Sequence, residues 1–147
     1  MAKDFYTLIP IHILVKDKMV KKLLVLDMDG TLFDTTERWN QCQRLYSNNK
    51  KGFWNCYQSE TYMYLDVPKE NVISLVKSLI DDETVIVVVS GRSEKQSQET
   101  LGQLKAIGIN ANDVYLRKDK DFRKDYQFKA EVVSQLLQKY LPDFQFH

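Results

Sequence analysis

The stretch "LLVLDMDGTLFD", residues 23–34, constrains this chain more than any other: an apolar run enters Asp27, skips one residue to Asp29 and turns at Gly30. A continuous apolar run of this kind suits a strand buried on both faces, the usual state of strands in parallel sheets covered by helices. Two carboxylates at the end of such a strand are costly to bury and stand where open parallel sheets bind ligands, beyond the carboxyl ends of their strands.

The remaining pattern extends this beginning into a fold. "VPKENVISLVKSLI" (67–80) places Val72, Ile73, Leu75, Val76, Leu79 and Ile80 at helical spacing, with Asp66 as a cap and Pro68 near the first turn. "TVIVVV" (84–89) is a β-branched central strand. The segment 93–108 is a helix opening on Ser93 and Gln96 at capping-box spacing and closing on Gly108. "DVYLR" (113–117) is a short strand, and 126–141 is a helix burying Phe128, Val132, Val133, Leu136, Leu137 and Tyr140, ended by Pro142. Strands alternating with helices predict an α/β fold, a Rossmann-like parallel sheet flanked by helices. Residues 34–66 form an aromatic-rich insert or small cap after the first strand, with a helix starting near Thr35 or Thr36. Residues 1–20 read as an amino-terminal appendage to a single domain, with room for an extra strand.

Composition narrows the setting. The chain has 147 residues, 44% hydrophobic and 28% charged, enough for one core. A net charge of +1 gives no global field toward nucleic acid or membrane, and no apolar run approaches the ~20 residues of a spanning helix. Cys42 and Cys56 lack metal-ligand spacing, imply no disulfide by themselves and are expected as buried apolar residues, so a cytoplasmic, reducing location is the expectation.

The chemistry concentrates at one rim. Asp27 and Asp29 follow the first strand, Ser90, Gly91 and Arg92 follow the second, and Lys129 lies early in the last helix. A carboxylate nucleophile, a second carboxyl group, a hydroxyl and a cation are the parts of phosphoryl transfer. Asp29-Gly30 also suits a two-residue hairpin. A calcium loop fails, because its twelfth residue would be Arg38 rather than Glu. The segment "RKDKDFRKDYQFK" (117–129) carries six positive and three negative charges interleaved with Phe122, Tyr126 and Phe128. That composition fits a nucleic-acid contact or a solvated loop whose aromatics enter the core, and the segment alone does not choose.

Taken together, "DMDGTL" (27–32), "SGR" (90–92) and the lysine of "FRKDYQFKAEVV" resemble the first three motifs of the haloacid dehalogenase phosphohydrolases, most closely the 3′-phosphatase domain of polynucleotide kinase and its phage relatives, from about Lys21 onward. The resemblance implies that Asp27 attacks phosphorus and that Asp29 acts as acid and then base. It implies that Lys129 neutralises charge and that Gly30, Thr31, Ser90 and Gly91 hold the phosphate. Mg²⁺ would be held by the Asp27 carboxylate and the Asp29 carbonyl. Arg92, Arg123 and Lys124 would lie on the substrate side, facing a phosphorylated nucleotide or nucleic-acid end. A short insert in place of a large cap leaves the rim open, as suits a macromolecular substrate in this family.

The resemblance also implies a fourth, acidic motif. "DFQFH" after Pro142 reads as the start of its strand, and no Asp or Glu follows Asp143, so the carboxyl end is expected to be truncated. Losing one preorganised charge typically costs about 10²–10³ in rate, so weak activity, or a binding-only relative, is the expectation unless Asp113 or Asp125 fills the gap. An unfinished strand near Phe144 would leave an edge for a homo-oligomer.

Overall fold

A computed structural model describes residues 11–16, 21–140 and 145–146. Along the chain stand β1 (Ile11–Lys16), β2 (Lys21–Leu26), β3 (Phe33–Asp34), α1 (Thr36–Leu45), α2 (Lys50–Tyr57), β4 (Val67–Pro68) and α3 (Glu70–Leu79). There follow β5 (Thr84–Ser93), α4 (Ser97–Ala106), β6 (Asp113–Arg117), α5 (Asp125–Tyr140) and β7 (Gln145–Phe146). The main sheet has the order β6-β5-β2-β1-β7, with β2, β5 and β6 parallel.

The parallel core is the α/β arrangement expected from the strand and helix pattern. Alternation along β2 divides its side chains between two apolar layers. Leu24 and Leu26 pack with Ile86, Val88, Ile73, Val76 and Leu104 under α3 and α4, while Leu23 and Val25 pack with Val87, Val89, Phe128, Val132 and Leu136 under α5. Both carboxyl-terminal strand ends, and so Asp27 and Ser90, reach one rim.

The sheet is not wholly parallel. β1 pairs antiparallel with β2, from Ile11 opposite Leu26 to Lys16 opposite Lys21, and β7 pairs antiparallel with β1. The amino-terminal segment therefore supplies an integral strand beside β2. The hairpin reading of Asp29-Gly30 fails, because β2 is flanked by β1 and β5 rather than by the residues after Gly30.

Local signals fared well at the helix ends. Ser93 and Gln96 form the capping box, but on a 3₁₀ turn, Glu94–Gln96, that leads into α4 rather than on α4 itself, and Gly108 closes α4 at φ +77°. Asp66 and Pro68 do not start α3, however: Lys69 precedes it without a side-chain cap, and Pro68 pairs with Phe33 in β4. A cap contributes only about 1 kcal/mol, and Asp66 instead faces two buried arginines. Leu75, expected inside, is exposed, and Val133 is half-buried. The side chains of Leu137 and Tyr140, and residues 141–144 and 147, lie outside the described residues. No described helix is long and apolar enough to cross a membrane.

The insert begins at Thr36, whose N–H donates to Asp34 at 2.9 Å, and continues into α2, capped by Asn49. Its two cysteines are not thiols: Cys42 and Cys56 are joined in a disulfide that ties α1 to α2. The bond closes a 14-residue separation, for which chain entropy gives about 3 kcal/mol. Reduction is expected to lower the melting temperature and to release two titratable thiols; equal melting with and without dithiothreitol would contradict this.

Candidate active site

Asp27 sits just past β2 and is held on both oxygens. Met28 N–H donates to Oδ1 at 2.8 Å, and Lys129 Nζ from α5 lies 2.7 Å from Oδ2. Burial raises the Asp27 carboxyl above its ordinary range, opposed by Lys129 and the Met28 N–H. Burial also works against the Lys129 ammonium, but Asp27 and Asp125 together outweigh it and keep the lysine protonated. Asp125 Oδ2 lies 2.9 Å from the same nitrogen, so one ammonium bridges two carboxylates.

Asp29 is held from behind. Its Oδ1 accepts from Arg92 at 2.8 Å and from Arg38 at 3.2 Å, and both arginines are buried. Each also reaches Asp66, Arg38 through Nε at 3.0 Å and Arg92 at 3.2 Å. Gln103 adds a bond to Asp66 at 3.0 Å, and Arg38 donates to the Tyr57 carbonyl at 2.9 Å. Burial raises the Asp66 carboxyl, opposed by Gln103, Arg38 and Arg92. The result is a square of two carboxylates and two guanidinium groups, buried at Arg38, Arg92 and Asp66 and part-exposed at Asp29, that fixes Asp29 Oδ1 and leaves Oδ2 without a partner among the described residues.

The remaining expected residues sort by place. Ser90 is buried, and its Oγ accepts from Arg92 N–H at 3.1 Å, which leaves the hydroxyl proton for an incoming oxygen. The N–H groups of Gly30 and Thr31 are used within the turn, on the carbonyls of Phe33 and Met28, rather than aimed at a phosphate. Gly30 takes φ +77°, a left-handed value that favours glycine. Arg92, expected on the substrate side, is only 2% exposed and lies behind Asp29. Arg123 is committed to Asp121 at 2.6 Å and to Glu131, whereas Lys124 is exposed.

Of the two acids considered as stand-ins, Asp113 is at the opposite end of the sheet, paired with Lys139. Asp125 is at the rim. A Cβ at Gly91 would fall 2.1 Å from Asp125 Oδ1, so only glycine leaves room for that carboxylate. Gly91→Ala is expected to displace Asp125 from Lys129 and reduce turnover about tenfold or more, with little change in melting because an exposed carboxylate can swing away. Unchanged turnover would show that Asp125 has no part in the reaction.

A family model of the polynucleotide kinase PNKP phosphatase domain matches residues 21–146. The chain belongs to that family. No curated protein matches it. As a PNKP-type phosphatase domain of the haloacid dehalogenase class, it places the three motifs on one rim, at the ends of β2 and β5 and early in α5.

Among the described residues no group of three or more His, Cys, Asp or Glu side chains is placed around a metal position. The donors at Asp27 and Asp29 nevertheless fit Mg²⁺, which takes oxygen ligands, keeps several waters and commonly uses only one or two protein carboxylates. The Asp29 carbonyl accepts no hydrogen bond among the described residues and is free for such a role.

Sequence reasoning named neither Arg38 nor Asp66 as a site residue. The signal for Arg38 was its position four residues before Cys42 on one face of α1, which places a charge on the buried stripe. Asp66 carried no comparable signal, since its partners lie 28 and 26 residues away.

Proposed function

We propose that this domain hydrolyses a phosphomonoester at a polynucleotide 3′ end through an Asp27 aspartyl-phosphate. Asp27 attacks phosphorus, and the ester oxygen leaves with a proton from Asp29. A water deprotonated by Asp29 then attacks the acyl phosphate, which releases inorganic phosphate and restores Asp27. Raised basicity from burial makes Asp27 a better nucleophile, and Lys129 stabilises the charge that gathers on the phosphoryl oxygens. Ser90 and Thr31 offer hydroxyls to those oxygens. Mg²⁺, when bound at the Asp27 carboxylate and Asp29 carbonyl, supplies further charge neutralisation.

The observation that carries this reading is the pairing of Asp27 with Lys129 across 102 residues of sequence, beside an Asp29 held by two buried arginines. The basic segment after β6 supports a polynucleotide end over a small phosphate ester. The test is phosphate release from a 3′-phosphorylated oligonucleotide, a 5′-nucleotide and an aryl phosphate, with Mg²⁺ and with a chelator. Release is expected to require Mg²⁺ and to be fastest from the oligonucleotide. A folded protein that releases nothing from any of the three would instead be a phosphate- or nucleic-acid-binding relative.

A further inference from the structure

Phe122 is 90% exposed, the most solvent-open of the large apolar side chains described. Its neighbours in the segment behave differently: Phe128 is buried in the core under α5 and Tyr126 is half-buried. The backbone on either side of Phe122 is fastened. The Arg117 guanidinium bonds the carbonyls of Asp121, at 3.4 Å, and Arg123, and reaches Asp125 at 3.4 Å. Asp121 in turn holds the N–H and guanidinium of Arg123, and those bonds bring its carboxyl down to about 2. The loop thus has a built shape that presents one aromatic ring to solvent, and its Arg117 is linked through two ion pairs to Lys129 and through a third to Asp27.

Charge around the ring is sorted in a consistent way. The acids are occupied: Asp119 by Lys95 at 3.2 Å, Asp121 by Arg123, and Asp125 by Lys129 and Arg117. Lys118, Lys120 and Lys124 are exposed, and none has an acid partner among the described residues. Three exposed lysines without acid partners, all within four residues of a held, exposed ring, suit a polyanion that also carries flat aromatic groups, which describes a single-stranded nucleic acid.

We infer that Phe122 is a stacking platform for a nucleobase of the polynucleotide strand, with Lys118, Lys120 and Lys124 along its phosphates. The inference rests on the polynucleotide reading above and names the part of the surface that distinguishes a strand from a mononucleotide. Stacking on an aromatic ring tolerates any base, so it confers preference for a strand without preference for sequence.

The test uses fluorescence anisotropy of a labelled single-stranded oligonucleotide with the wild type, Phe122→Ala and Phe122→Trp. Alanine is expected to weaken binding about tenfold and tryptophan to restore it. Lys124→Ala is expected to reduce the salt dependence of binding by about one phosphate contact. In turnover, the ratio of kcat/KM for the 3′-phosphorylated oligonucleotide to that for the aryl phosphate should fall about tenfold in Phe122→Ala. Equal oligonucleotide binding by wild type and Phe122→Ala overturns the inference, as does Phe122-dependent sedimentation with phosphatidylserine vesicles without oligonucleotide binding. Binding that depends on Phe122 in a protein that releases no phosphate would sustain the stacking surface and sink the proposed reaction. Phosphate release from the oligonucleotide with an unchanged ratio would do the reverse.

Discussion

Asp27→Asn is expected to abolish phosphate release, by a factor on the order of 10⁴ or more, because the residue would be the nucleophile and no neighbouring carboxylate occupies its place. Asp125 and Asp27 meet the same Lys129 nitrogen, but Asp125 is carried by α5 whereas Asp27 stands just past β2. The substitution keeps the side-chain volume, and Lys129 keeps Asp125 as its partner. Folding should therefore be retained, which makes the loss of activity interpretable. Steady-state release assayed beside the far-ultraviolet spectrum and melting curve of both proteins checks this. A variant with more than about one hundredth of wild-type activity would exclude Asp27 as nucleophile.

Asp66→Ala is expected to have the largest effect on stability. The Asp66 carboxylate is wholly inaccessible and satisfies Arg38, Arg92 and Gln103. Removing it leaves two buried guanidinium groups short of a counter-charge, a loss of about 3–5 kcal/mol. Against the 5–15 kcal/mol that typically holds a domain together, this is a large fraction, and a fall in melting temperature of roughly 10 °C is expected. Turnover should fall as well, because the same arginines set the direction of Asp29. Asp66→Asn preserves shape and an acceptor and should cost less. Melting of Asp66→Ala within a degree or two of wild type would show that the arginines find another partner.

The two aspartates illustrate what sequence could and could not reveal. Asp27 and Asp29 were legible because a buried apolar strand delivers them directly, and Lys129 because it falls early in a helix whose apolar stripe was clear. The strands 84–89 and 113–117 and the capping box at Ser93 followed from local pattern, since each depends on residues within one element. Asp66 looked like a helix cap because short-range chemistry was the only information available. Its true partners are set by how the insert folds over β5, and no periodicity encodes a contact of that range. Arg38 was hidden for a related reason: a single charge on a helical stripe is averaged away by the apolar residues around it. The disulfide depended on α1 meeting α2, and α2 itself is a short aromatic segment whose pattern fits neither a clean helix nor a strand. Phe122 and Phe128 lie six residues apart in one basic segment, and only the seating of α5 sends one inward and leaves the other outside.

The most direct measurement is covalent: mix the protein with a 3′-phosphorylated oligonucleotide and Mg²⁺, quench in acid within the first turnover, and weigh the peptide spanning residues 23–34. A fraction of that peptide is expected to be heavier by one phosphoryl group, located on Asp27 and absent from Asp27→Asn. Phosphate release at full rate with no phosphorylated peptide at any quench time would mean that water attacks the substrate directly, and the nucleophilic role of Asp27 would be lost.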